Sequence, residues 1–91
     1  MDLKELLASK GRQRILEIIV QYREMNVMQL VRKTGGKYSE VNRNLKILES
    51  EGIITSEYRK QVKRARVRII KLNRENPRAE KLLKALKMLE E

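Results

Sequence analysis

The stretch KYSEVNRNLKILESEG, residues 37 to 52, carries the pattern that decides the fold of this chain. Val41, Leu45 and Leu48 are spaced i, i+4, i+7, so they share one face of a helix, and that face must be buried. Most of the other positions in its first half are basic, hydroxyl-bearing or amide-bearing. The sequence therefore predicts a core helix whose outer face carries many hydrogen-bond donors.

A shorter helix is predicted directly before this one. Asn26 is a suitable N-cap, and Val27, Leu30 and Val31 follow with i, i+3, i+4 spacing. The pattern stops at Gly35 and its neighbouring glycine, where a left-handed residue can end a helix. A short helix, a tight glycine-bearing turn and a second helix with a polar outer face predict a helix-turn-helix.

Two runs rich in β-branched residues come after the second helix and predict a β-hairpin, or wing. Pairing Ile53 with Leu72 places Glu57 opposite Arg68, as a cross-strand pair of opposite charge. The connection at residues 61–64 lacks Gly, Asn and Pro, so we expect a longer, flexible tip rather than a two-residue turn.

The element order predicts a mainly α protein with a small β-hairpin (α+β), a winged helix-turn-helix with terminal helices. We expect one domain over residues 1–91, with a helical extension at 2–10, a core at 11–72 and a C-terminal helix at 76–91. The terminal helices carry leucine-rich strips that suit a homodimer interface, although packing inside the monomer is an alternative for the C-terminal strip. The proposed interface residues are Leu3, Leu6, Leu7, Ala79, Leu82, Leu83, Leu86 and Leu89.

The composition excludes several classes of function. The chain has no Cys and no His, which removes disulfides, thiolate nucleophiles, imidazole bases and the common zinc sites. It also lacks the glycine-rich motifs that hold nucleotide phosphates. We therefore expect no enzyme activity, no metal and no cofactor. The apolar runs are too short for a membrane span, so we expect a soluble, cytoplasmic protein.

The net charge of +10 is concentrated in two segments. Residues 32–46 carry a net charge of +4, and residues 59–74 carry eight basic residues and no acid. A heavily charged thermophile surface explains abundant Lys, Arg and Glu, but it does not require an excess of one sign. The concentration of positive charge in these two segments favours a polyanionic partner such as nucleic acid.

A family resemblance supports the same interpretation. SEVNRNLKILESEGII, residues 39–54, resembles the recognition-helix segment of the ArsR and MarR groups of bacterial and archaeal regulators. Those proteins share a pattern S-x-V-x-R-x-L-x-x-L-E-x-x-G, followed by two apolar residues. The upstream GRQRILEIIV is similar to their first core helix, and the resemblance covers roughly residues 11–72. We expect an archaeal or thermophilic origin.

The resemblance implies a sequence-specific, duplex DNA-binding transcriptional regulator, associated with the nucleoid. Its recognition helix, residues 37–51, would enter the major groove, and its wing, residues 59–68, would contact the backbone or the minor groove. The implied recognition residues are Lys37, Tyr38, Ser39, Asn42, Arg43 and Lys46. The implied wing residues are Arg59, Lys60, Lys63, Arg64 and Arg66.

The chemistry of two of these residues suits base recognition. Arg43 can bind guanine through two acceptors, and Asn42 can bind adenine through one donor and one acceptor. The chain lacks the Cys and His ligands of the metal-sensing branch and the aromatic-lined helices of larger MarR-type proteins, so no small-molecule effector is expected. Three alternatives use the same fold: binding of structured RNA or the ribosome, a non-specific architectural role on chromatin, and protein interaction.

Overall fold

The structure is a computed structural model that describes residues 1–60 and 66–89. The predicted flexible tip, with Lys63 and Arg64, lies outside these residues. The mainly α fold with a small antiparallel sheet is confirmed. The elements follow in the order α1 (Leu3–Leu7), α2 (Lys10–Tyr22), β1 (Glu24–Asn26), α3 (Val27–Thr34), α4 (Tyr38–Ser50), β2 (Ile54–Lys60), β3 (Arg66–Leu72) and α5 (Pro77–Leu89).

The helix-turn-helix formed by α3 and α4 begins and ends where local chemistry predicts. Asn26 caps α3, because its side chain accepts a hydrogen bond from the Gln29 amide at 2.8 Å, and Gln29 reaches back to the Asn26 amide. Gly35 ends α3 in the left-handed conformation, with φ 71°, and donates its amide to the Val31 carbonyl. The turn before α4 is therefore as short as predicted.

The helical extension at the N-terminus is separate from α2. The break falls at Ser9, whose side chain accepts from the Arg12 amide at 3.2 Å and caps α2. Gly11 lies inside α2 instead of interrupting it. A Cβ at Gly11 would lie 2.8 Å from Asn44 Nδ2, so glycine allows α2 and α4 to cross closely.

A buried arginine holds α1 in place. The Arg12 guanidinium donates to the carbonyls of Leu6 at 2.9 Å and Glu5 at 2.8 Å, which belong to the end of α1. It also donates to Asn44 Oδ1 on α4, at 3.3 Å. Arg12 therefore connects α1, α2 and α4 through one side chain.

The predicted register of the wing was wrong by one residue. Ile54, not Ile53, pairs with Leu72, so Glu57 lies opposite Ile69 and not opposite Arg68. A shift of one residue moves a side chain to the other face of a sheet, which separates Glu57 from Arg68.

Ile53 follows the end of α4 and is hydrogen-bonded to its last turn, so the strand begins one residue later than predicted. The Ile53 amide donates to the Leu48 carbonyl, and its own carbonyl accepts from the Asn73 amide, both at 2.9 Å. Ile53 is fully buried in this position.

A third strand was not predicted. β1 pairs with β3 on the side opposite β2, with Met25 opposite Ile70, and gives the strand order β1-β3-β2. Three residues are too short to show an alternating pattern, so the sequence alone gave no signal for this strand.

The leucine strips of the terminal helices pack mainly inside the protomer, and the dimer interface expected on them stays a prediction. A small chain without Phe or Trp needs its terminal leucines to complete its core. Leu3 and Leu83 are half-buried, and Leu89 is 61% exposed. The buried members of the predicted interface are Leu6, Leu7, Ala79, Leu82 and Leu86.

We expect Gly52→Ala to lower the free energy of unfolding by about 1–3 kcal/mol. Gly52 has φ 73°, and a Cβ there would lie 2.9 Å from Asn76 Nδ2, which donates to the Gly52 carbonyl. Urea denaturation measures the change. Gly36→Ala is the matched control, because the nearest atom to its Cβ would be 3.5 Å away. If the two variants lose equal free energy of unfolding, the connection between α4 and β2 does not specifically require glycine at position 52.

Candidate nucleic-acid interface

The outer face of α4 carries an exposed polar stripe. Ser39, Arg43 and Lys46 are spaced i, i+4, i+7 and are all exposed. On a helix this spacing aligns three side chains along one face, and that face is opposite the buried Val41 and Leu45. We call Ser39, Arg43 and Lys46 the recognition stripe.

The start of α4 adds two further predicted residues. Lys37 is the N-cap residue and is exposed. Tyr38 occupies the first helical position and is 51% exposed. Its ring lines a groove next to the wing, so Tyr38 lies beside the recognition stripe and not within it.

Asn42 has a different environment from the recognition stripe. It is half-buried, and its Oδ1 accepts a hydrogen bond from Arg68 Nη1 at 3.0 Å. Arg68 Nη2 donates to Glu49 Oε2 at 2.9 Å, and the Ser56 hydroxyl donates to the same carboxylate. These four residues, which we call the Arg68 cluster, join α4 to both strands of the wing.

Sequence reasoning missed the role of Arg68. It assigned this arginine to Glu57 on the neighbouring strand, whereas the true carboxylate partner is Glu49 on α4. The alternation of side chains along a strand could have indicated that Arg68 points toward the helices. Arg68 shares a face of β3 with Ile70 and Leu72, and those two residues face the core.

The face of the wing that lies toward the helices changes from apolar to cationic along its length. At the root, Ile70 and Leu72 are buried in the core. Further out, Arg68 is only partly buried, and Arg66 and Tyr58 are exposed. The two strands therefore extend past the core and present a cationic, hydrogen-bonding surface beside α4.

A groove of about 500 Å³ lies between this part of the wing and the starts of α3 and α4. Its walls bring together cationic and aromatic side chains from four elements. The groove includes Tyr38, which directly precedes Ser39 of the recognition stripe. The side chains are Arg32, Tyr38, Tyr58, Arg66 and Arg68.

Arg59 lies away from this surface. It donates to both carboxylate oxygens of Glu24, at 3.0 and 3.1 Å, and also to Glu57. The hydrogen bond from Arg59 is the main reason that the pKa of Glu24 is below its ordinary value. Two carboxylates therefore compensate the charge of Arg59, and the structure does not bring it together with Arg66. Lys60 ends β2.

Other types of site are not seen in the part of the chain that the structure describes. Residues 1–60 and 66–89 contain no group of three or more acidic, His or Cys residues able to hold a metal ion. Over the same ranges, no helix combines the length and the apolar character that crossing a membrane requires.

The elements form a winged helix-turn-helix, in which α3 and α4 are the helix-turn-helix and β2–β3 is the wing. Neither a protein-family profile nor a curated protein matches the sequence. Solved structures, in contrast, match over most of the chain.

Three similar structures, two of them of the same Mycobacterium bovis fragment, illustrate the likeness. A possible transcriptional regulatory protein (fragment 1–100) from Mycobacterium bovis has a TM-score of 0.74 and 21% identity, covering 98% of this chain and 88% of that one. NadR in complex with 4-hydroxyphenylacetate has a TM-score of 0.73 and 17% identity, covering 94% of this chain. The homodimeric winged helix-turn-helix DNA-binding domain Mb0332 from Mycobacterium bovis, described as possibly ArsR-family, has a TM-score of 0.68 and 19% identity, covering 97% and 71%.

At identities of 17% to 21%, this structural likeness shows the fold alone. The chain spans 57% of the length of NadR.

Proposed function

We propose that this protein is a sequence-specific, duplex DNA-binding transcriptional regulator of the ArsR/MarR-like type. One observation carries the proposal: the exposed recognition stripe on α4 stands beside a wing that presents Arg66 and a groove containing Arg32. The similar Mycobacterium bovis fragment is described both as a possible transcriptional regulatory protein and as a DNA-binding domain, which supports the same conclusion.

Each part of the surface has a chemical role in this proposal. Arg43, at the centre of the recognition stripe, binds the two acceptors of a guanine in the major groove. Ser39 and Lys46 flank it on the same face of the helix. Arg32 and Arg66 neutralise backbone phosphates, which supplies affinity but no sequence information.

Competition binding tests the choice of nucleic acid. A labelled genomic duplex is titrated at about 0.1–0.15 M salt, near physiological ionic strength, with unlabelled duplex DNA or structured RNA as competitor. The proposal expects duplex DNA to compete more strongly. Structured RNA remains the second candidate, because the groove holds both Tyr38 and Tyr58, and aromatic rings stack on unpaired bases. Stronger competition by RNA would favour that candidate, and equal binding of all duplexes would favour an architectural role.

The proposal includes a homodimer, formed on the apolar surface that the protomer leaves uncovered. Val20 on α2 and Leu89 on α5 are 40% and 61% exposed, and half-buried Leu3 and Leu83 lie near them. Two grooves contain these residues, one of about 320 Å³ beside Val20 and Leu83 and one of about 440 Å³ beside Leu3 and Leu89. The similar Mb0332 domain is described as homodimeric, which supports the proposal of a homodimer.

We expect the double variant Val20→Glu, Leu89→Glu to be monomeric, because charges would be buried in the proposed apolar interface without a partner. Both side chains are exposed in the protomer, so the fold should persist. Sedimentation equilibrium measures the mass. Thr55→Glu, an exposed position on the outer face of the sheet, is the control. A double variant that remains dimeric would rule out this surface as the interface.

Several sequence predictions remain untested. The absence of a small-molecule effector is one, since NadR was solved with 4-hydroxyphenylacetate. The absence of enzyme activity, the nucleoid location and the archaeal or thermophilic origin also stay predictions.

A further inference from the structure

Asn42 carries an amide with two chemically different ends, and the structure fixes which end faces the wing. A guanidinium donates hydrogen bonds and accepts none. The atom of Asn42 that lies 3.0 Å from Arg68 Nη1 is therefore the carbonyl oxygen. The amide NH2 group consequently points away from Arg68.

Arg68 is itself held firmly enough to impose this orientation. Its guanidinium donates to Glu49 at 2.9 Å, and its side chain is only 16% exposed. The Ser56 hydroxyl donates to the other oxygen of Glu49 and fixes that carboxylate. Turning the Asn42 amide over would break a charge-assisted hydrogen bond in a partly buried site.

Resting on the function proposed above, we propose that Arg68 is a positioning residue that determines base preference through Asn42. Recognition of adenine by an asparagine needs its oxygen to accept from N6 and its nitrogen to donate to N7. Arg68 takes one of the two lone pairs of the oxygen, and its positive charge disfavours a second donor such as adenine N6 at the same atom, so Asn42 presents its N–H donors to the DNA. Its partner is then an acceptor, such as guanine O6 or N7, thymine O4 or a phosphate oxygen, and not the paired donor and acceptor of adenine.

Asn42→Asp tests the donor role. The aspartate has the same shape and still accepts from Arg68, but it has no N–H to offer. We expect its affinity for the selected duplex to fall on the order of ten-fold more than its affinity for an unrelated duplex, which measures the repulsion between the added charge and the phosphates. An aspartate variant that binds the duplex as tightly as the wild type would overturn the proposal.

Arg68→Met tests the positioning role, because it frees the Asn42 oxygen and keeps an apolar stem of similar length. Selection of bound sequences from random duplexes should show the base facing residue 42 shifting toward adenine, on the order of ten-fold. The shift should vanish when Asn42→Ala is added. Glu49→Gln weakens the ion pair that holds Arg68 in place, so it should shift the base preference in the same direction. This variant replaces Arg68→Met in the test if Arg68→Met does not fold.

The outcomes separate this inference from the proposed function. Wild-type protein that binds no duplex DNA would overturn both. Wild-type protein that selects a sequence, with an unshifted preference in Arg68→Met and Glu49→Gln, would overturn the role of Arg68 alone.

Discussion

Arg43→Ala is expected to lower the affinity for a selected duplex by roughly ten- to one-hundred-fold, since a bidentate arginine–guanine pair contributes about 1–3 kcal/mol. The side chain is exposed at the centre of the recognition stripe, so its removal should leave the fold intact. Fluorescence anisotropy on the selected duplex and on an unrelated duplex measures the effect. The loss should be much larger for the selected duplex.

Arg74→Ala is the matched control for this prediction. It removes one positive charge from a position shortly after the end of β3, where Arg74 forms an ion pair with Glu80 at 3.2 Å. If the two variants lose affinity equally, Arg43 contributes only to the overall charge, and the assignment of the recognition stripe is wrong.

Arg12→Ala is expected to lower the free energy of unfolding by about 2–4 kcal/mol. The substitution removes the donor to the Leu6 and Glu5 carbonyls and to Asn44, and these acceptors are left partly buried. Urea denaturation followed by circular dichroism measures the loss. Arg12→Lys should restore only part of this stability, because a single ammonium group cannot reach all three acceptors that the guanidinium donates to.

The control for Arg12 lies two residues further along the same helix. Arg14 is exposed and makes an ion pair with Glu17 at 3.6 Å. Exposed pairs of this kind contribute about 0.3–0.5 kcal/mol, so Arg14→Ala should change stability little. Similar losses in both variants would mean that the buried hydrogen bonds of Arg12 do not anchor α1.

Features set by local chemistry could be predicted from the sequence. Asn26 and Gly35 cap α3 because each acts on neighbouring residues of the chain. The buried stripe of α4 followed from spacing alone. These signals depend on residues a few positions apart, so no knowledge of tertiary structure was needed.

Features set by tertiary packing could not be predicted in this way. Ile53 looked like the first residue of a strand, but the end of α4 binds its backbone and shifts the register. Arg68 finds its carboxylate on α4, at a distance in sequence that no local pattern reveals. Leu82 belongs to a leucine strip, yet periodicity shows only that a strip is buried and not whether the partner is the same chain.

Sequence-specific binding through α4 is tested by letting the wild-type protein select bound sequences from a pool of random duplex DNA. We expect an enriched motif with two-fold symmetry and half-sites about one helical turn apart, because a homodimer would place one α4 in each of two successive major grooves. We also expect Arg43→Ala to abolish the enrichment. Recovery of no enriched motif would contradict sequence-specific binding, and an enriched motif that Arg43→Ala leaves unchanged would contradict the recognition surface described above.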